Sequence, residues 1–367
     1  MTSPIRATAR FERPQATLDG PTWFWVACDE SGQDGESLTS DLPVMSHASV
    51  RIDDNDADAI VSELRNRLRS AQGVELKFAR FSSPKTVSVL TAALADPDLL
   101  GGRCSVQVVD KRYVATGKII DLIVEEQAHD RGEDMYASGE ARTMAQDLLV
   151  HGPRALGRQL FDTLLEHFVS LFRMGEPAGH LRSTADELFG CLETAIAAAT
   201  NHRVRSILEW IARGRSHVDY FIAHVRGSDG LGHLQPLIPA IVENIRYWDG
   251  RLRHEGQVMV LHDRQNLLSD AVITQLRRAM REPFPLVSIM PPPVVLGAFL
   301  RGDSKTHPSI QLADLVAGAG RVAGEYAMGR RTDAVAKQLT QAMRPVVAPG
   351  SLWGDLRTWK VLTDMPF

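Results

Sequence analysis

Asp29, Glu75, Asp263 and Asp314 are the residues of this chain whose setting best suits chemistry. Asp29 opens Asp29-Glu30-Ser31-Gly32 just after the apolar run Trp23-Phe24-Trp25-Val26-Ala27, so an acidic pair is carried to the end of what reads as a buried strand. Glu75 stands in Val-Glu-Leu-Lys-Phe, Asp263 follows Val258-Met259-Val260-Leu261-His262, and Asp314 lies in Ser-Ile-Gln-Leu-Ala-Asp-Leu. A carboxylate in such surroundings is costly to desolvate unless it is paired or binds a metal. The expectation is that the fold gathers these four around Mg²⁺ or Mn²⁺, hard cations that take oxygen ligands. Two such ions about 3.5–4 Å apart neutralise the attacking and leaving oxygens of a phosphodiester.

Neighbouring residues take supporting roles in that expectation. Lys77 projects to the side of Glu75 if the segment is extended, where it meets a phosphate or neutralises the acids. Ser31 and the Gly32 turn offer a hydroxyl and an amide, or form an ordinary turn. Gln311 sits one helical turn before Asp314 and would orient it. Ser304 and Lys305 precede that helix in a loop and are weaker candidates. Glu30 is a supporting but ambiguous neighbour, since in a strand it points opposite to Asp29 and only one of the two faces the cluster, and His262 is turned away from the site unless the strand has ended. Each acid alone also has a plain account. Asp29 or Glu30 could close a hairpin, Glu75 pair with Lys77, Asp263 cap the next helix and Asp314 bridge to Arg321.

The elements that must position these groups follow from hydrophobic period. The first strand pairs with Val44–Ile52, whose apolar residues partly alternate as in a half-buried strand. Asp53 and Asp54 cap a helix with Ile60, Val61, Leu64 and Leu68 at helical spacing, expected to lie on a sheet. A second helix runs from Pro84 to Asp96-Pro97, and Cys104–Val109 reads as a third strand. From about Ala115 to Arg226 apolar-periodic helices dominate, among them Ala155–Arg173, followed by a hinge at Gly227–Gly230. A helix carrying Ile238 to Trp248 leads back to the sheet. The strand 257–261, a helix 268–281 and the run Leu286–Met290 then suggest a parallel crossover. Pro291–Pro293 reads as a stiff connector, and a last long helix covers Ser309–Tyr326.

Composition sets limits. A chain of 367 residues with 44% hydrophobic content buries a large core. A formal charge of -4 and a pI near 6.3 exclude a global basic excess, so nucleic-acid contact would be local. Arg203, Arg205, Arg213 and Arg215 are the candidate phosphate-holding surface, or else a solvated helix face. Cys28, Cys104 and Cys191 are widely spaced, which excludes a disulfide framework or a Cys-x-x-Cys zinc site. No segment reaches about 18 uninterrupted apolar residues, so no membrane role is expected. The location expected is cytoplasmic.

The segments Ala27-Cys28-Asp29-Glu30-Ser31-Gly32, Glu75-Leu76-Lys77, His262-Asp263 and Ser309-Ile310-Gln311-Leu312-Ala313-Asp314 resemble those of the bacterial family known as domain of unknown function 3800. The resemblance implies an α/β, ribonuclease-H-like mixed sheet flanked by helices, and metal-dependent nuclease activity. It also implies Asp29 as bridging ligand, with Glu75 and Asp263 completing one metal each and Asp314 reaching in from the last helix. The expected organisation is a leader over 1–20, a core over 21–114 and 227–330, an inserted helical subdomain over 115–226, and a C-terminal helix and tail over 331–367. RNA, DNA and hybrid are not ranked as substrates. The alternative is a non-catalytic module of the same fold whose helical insertion mediates a homodimer or a partner contact.

Overall fold

The computed structural model describes residues 22–69, 75–129, 131–175, 181–227, 232–251, 256–281 and 293–365. Among the described residues, five strands form one mixed sheet: β1 Thr22–Ser31, β2 Val44–Val50, β3 Cys104–Asp110, β4 Gly256–Asp263 and β5 Leu296–Gly302. Their spatial order is β3-β2-β1-β4-β5, with β1 central. The β1–β2 and β2–β3 pairs are antiparallel, while β1–β4 and β4–β5 are parallel.

Between β2 and β3 lie α1 Asp54–Leu68 and α2 Pro84–Ala95. Asp53 caps the first by accepting from Asp56 N at 3.0 Å, and Ser83 and Thr86 cap the second reciprocally with Pro84 in its opening turn. Among the described residues, nine α-helices lie between β3 and β4: α3 Lys111–Ile119, α4 Glu126–His129, α5 Met135–Ser138, α6 Glu140–Leu156, α7 Arg158–Phe172, α8 Ala185–Ala198, α9 His202–Arg213, α10 Val218–Gly227 and α11 Leu237–Arg251, with a π-helical stretch at Ile120–Glu125 and a 3-10 turn at Gly214–His217. Then come α12 Asp270–Arg281 before β5, and α13 Pro308–Ala327, α14 Ala334–Met343 and α15 Leu356–Leu362 after it. No described helix is long and apolar enough to cross a membrane.

Alternation sorts the strand residues onto two covered faces. Ala27, Val44, Ala48, Val50, Val106, Val108 and Leu261 pack beneath α13, with α1, α2, α14 and α15 completing that cluster. Val26, Cys28, Met45, Val109, Val258, Val260 and Phe299 meet the helices between β3 and β5. The stretch 115–226 therefore shares its core with the sheet.

Four expectations change. β2 is buried at every position rather than half-buried, because α11 covers the face opposite α13. The first helix packs chiefly on α13 and α2, not directly on strands. The helix expected from Ala155 begins at Arg158, since Gly157 interrupts it at φ +81°. The second parallel strand is Leu296–Gly302, where Gly297 and Gly302 obscure the apolar run of an edge strand. The run Leu286–Met290, the leader and most of the expected hinge and proline connector lie outside the described residues.

Candidate functional site

Parallel pairing sets Cys28 of β1 opposite His262 of β4, so the next residues, Asp29 and Asp263, leave neighbouring strand ends on the same face. That face lies under α13, which contributes Asp314. Asp29 is buried, and its charge interacts with those of Asp314 and Asp263. Glu75 arrives on an extended segment that α13 anchors at alternate amides. Leu76 N donates to Gln311 Oε1 at 2.9 Å and Phe78 N to Asp314 Oδ2 at 2.9 Å. Gln311 Nε2 donates to Ser304 O at 2.6 Å, and Ser304 Oγ donates to Glu75.

The electrostatics are those of a crowded acidic pocket. Burial first, then Glu30, Asp314 and Asp263, hold the Asp29 pKa well above the usual aspartate range. Burial also raises Asp314, against the Phe78 amide and Lys77, with Glu75 and Asp263 adding to the rise. Burial works against the Lys77 ammonium, yet Asp314, Glu75 and Asp29 together keep its pKa above the usual lysine value. Lys77 Nζ lies 3.5 Å from Glu75 Oε1 and 3.4 Å from Ser304 Oγ. One lysine thus serves as counter-ion to three of the four acids. Among the described residues no three Asp, Glu, His or Cys side chains stand ready to hold a metal ion. The donor set, all carboxylate oxygen, fits Mg²⁺ or Mn²⁺ in kind; its spacing is that of a lysine-neutralised cluster.

Supporting residues separate into two groups. Gln311 holds the Glu75 segment and the Ser304 loop instead of orienting Asp314, whose bond comes from Phe78. Ser304 is buried and central, which a loop position in sequence did not reveal. Ser31 Oγ accepts from Arg321 Nε at 3.0 Å, and Arg321 pairs with Glu325 rather than Asp314. Gly32 is required by its turn, at φ +79° with Val44 O and Arg321 against the place of a Cβ. Asp263 caps no helix, since α12 starts seven residues later.

No protein-family model matches this chain, and neither a curated protein nor a solved structure is detectably similar to it. The family resemblance rests on the quoted motifs alone.

Glu30 and His262 lie on the opposite face, within a buried polar seam that the sequence did not disclose. Gln265 Nε2 donates to Glu30 Oε1, and His262 Nε2 lies 3.8 Å from Glu30 Oε2. Asn244 Nδ2 donates to His47 O at 2.8 Å and to His47 Nδ1 at 2.6 Å, which makes that ring nitrogen an acceptor. His47 Nε2–H then donates to His262 Nε2 at 3.1 Å, and His262 Nδ1–H to Asp263 O at 2.8 Å. The chain of bonds ends on the peptide that carries Asp263. Burial, then His262, lowers the His47 pKa well below the usual histidine value, so His47 is neutral.

The four arginines stand on or just after α9, away from the acids. Arg203 pairs with Asp147 at 3.2 Å, Arg215 pairs with Asp186 at 2.7 Å, Arg205 donates to Ala199 O at 2.6 Å, and Arg213 lies over Trp210.

Proposed function

We propose that this chain is a metal-dependent nuclease or related phosphodiesterase, a hydrolase acting on nucleic acid. The observation that carries the reading is the convergence of Asp29, Asp263 and Asp314, distant in sequence, on one face at the ends of β1 and β4, with Glu75 within reach of Asp314's charge. The order of an antiparallel β1-β2-β3 unit followed by parallel β4 and β5 agrees with the ribonuclease-H-like fold that the motifs imply. Asp29, Glu75, Asp263 and Asp314 would hold Mg²⁺ or Mn²⁺, which when bound supplies charge neutralisation on the attacking and leaving oxygens. The network through Gln311 and Ser304 fixes Glu75, and Phe78 fixes Asp314. Lys77 is half-exposed beside them, the cationic group able to meet a phosphate oxygen once the acids have another counter-ion.

A second reading is favoured by Lys77 itself, because an internal counter-ion suits a non-catalytic module of the same fold. Labelled RNA, DNA and hybrid, each incubated with Mg²⁺, Mn²⁺ or chelator, separate the two. The expected result is Mn²⁺-stimulated cleavage that Asp29→Asn and Asp263→Asn abolish with the fold intact. Undiminished cleavage in both variants overturns the metal assignment, and an inert wild type that still binds nucleic acid or a partner favours the module.

A further inference from the structure

β1, β4 and β5 run parallel, so their carboxyl ends leave the sheet along one edge, the edge at which open α/β sheets bind their ligands. Register sets Asp263 opposite Gly302, and the segments that follow them, 264–269 and 303–307, start side by side. A third segment, 76–82, joins this edge where Ser304 meets Glu75 and Lys77. All three border the acidic cluster.

Their charge is one-sided. Lys77, Arg80, Arg264 and Lys305 stand on them with a single acid, Asp303, whose carboxylate accepts from the Lys305 amide at 2.9 Å. His307 is held by Asp54 at 2.7 Å, and Lys77 answers Glu75 at 3.5 Å. Arg80, Arg264 and Lys305 are exposed, and among the described residues their side chains make no ion pair and no hydrogen bond. The four arginines on and after α9 differ, each being engaged by Asp147, Asp186, a backbone carbonyl or Trp210. Phosphate contact there disturbs existing interactions; at this rim it displaces only water.

The number of these cations bears on substrate size. A diester with one phosphate is met by the acids with their metal and by Lys77, which leaves three cations on three segments with nothing to hold. A strand presents further phosphates on either side of the scissile one, and Arg and Lys are the residues that hold them. We infer that Arg80, Arg264 and Lys305 form a phosphate-holding rim, so that the substrate is a polynucleotide and not a small phosphodiester, which rests on the nuclease reading above. Phe78 and Phe81, the aromatics of these segments, pack into the core, so the contact is to the backbone and independent of base sequence.

The test is the variant Arg80→Gln/Arg264→Gln/Lys305→Gln, which leaves the acids and Lys77 untouched and whose fold circular dichroism checks. Binding of labelled DNA and RNA single strands is measured over a salt series with Ca²⁺ in place of Mn²⁺. Hydrolysis with Mn²⁺ is followed on the same strands and on bis(4-nitrophenyl) phosphate. Three lost contacts are expected to lower the slope of log affinity against log salt by about 2 and to weaken strand binding at least about tenfold at low salt. Hydrolysis of the small diester should be unchanged. If the triple variant does not fold, Arg264→Gln/Lys305→Gln replaces it, with an expected fall in slope of about 1.4. No strand binding by the wild type, an unchanged slope in the folded variant, or an equal loss of activity on strand and small diester overturns the rim. A fall in slope in a protein that cleaves neither substrate supports the rim as a strand-binding surface and overturns the nuclease reading instead.

Discussion

At Asp29 burial and function pull in opposite directions. The carboxylate sits under α13 beside two other acids, and its raised pKa means that the folded state favours the protonated form. The sign of the linkage follows. Whatever stability this preference contributes is present below the ordinary aspartate value of about 3.9 and is lost as pH rises through the raised folded value. Asp29→Asn removes the charge while leaving an oxygen for the Glu30 amide, which now donates to Asp29 Oδ1 at 2.8 Å. In chelator at pH 8 the variant is expected to melt on the order of 1–3 °C higher than wild type. At pH 4 the difference should shrink towards zero. Added Mn²⁺ should raise the wild-type melting temperature and leave the variant unmoved. Scanning fluorimetry across pH, with and without Mn²⁺, checks all three, and an Asn variant less stable at both pH values would remove charge crowding as the cause. These acids were legible because an apolar run that ends in a carboxylate is visible in one dimension. Ser304 and Gln311 stood out as candidates but their roles did not, and the His47–His262 pair did not show at all. Their meaning depends on partners more than 200 residues away, which neither period nor spacing encodes.

The acids are set in place by one helix. α13 lies close on β2 and β3 because Gly320 and Gly324 carry no side chain, and a Cβ at either would come within 2.7 Å of Val106 or Val44. The Ala- and Gly-rich run was readable as a closely packed helix, and its bounds in the structure, Pro308–Ala327, lie within a residue of those expected. Its duty towards the Glu75 segment was not readable, since a single-turn offset between Gln311 and Asp314 matches the spacing of alternate amides only once the segment is laid across it. Gly318 tests that duty. A Cβ there would overlap the Phe78 ring and stand 2.7 Å from Phe78 Cβ, and Phe78 N is the donor to Asp314. Intrinsic propensity favours Ala over Gly in a helix by about 1 kcal/mol. Gly318→Ala is nonetheless expected to destabilise by about 1–3 kcal/mol through overpacking, and to diminish any Mn²⁺-induced rise in melting temperature. Gly190→Ala in α8, where a Cβ meets nothing within 4 Å, is the control and should be neutral or stabilising. Urea denaturation of the two variants settles the order, and a stabilised Gly318→Ala would show that the Phe78 contact yields without consequence.

At the scale of the molecule the sheet divides two chemistries, acids beneath α13 on one side and a thick helical layer on the other. The arginines belong to that layer, and their arrangement bears on how nucleic acid could be held. α9 turns Val204, Ile207, Leu208 and Ile211 inward. At about 100° per residue, Arg203 and Arg205 then flank that stripe on opposite sides, and Arg213 points outward. Composition and charge sign were legible in the sequence, whereas this angular spread becomes decisive only when the buried stripe is fixed. A duplex backbone touching one side of α9 cannot meet all of them. Four phosphate contacts would contribute about 3.6 to the slope of log affinity against log salt on duplex DNA. Changing Arg203, Arg205, Arg213 and Arg215 together to Gln is therefore expected to lower the slope by about half of that or less. The stability change should also be small, because exposed ion pairs such as Arg203–Asp147 are worth about 0–1 kcal/mol each. Binding measured over a salt series with labelled duplex and single strand decides the point. A fall approaching the full four-contact value would mean that α9 and the turn after it bend around the nucleic acid, with Asp147 and Asp186 giving up their arginines to phosphate.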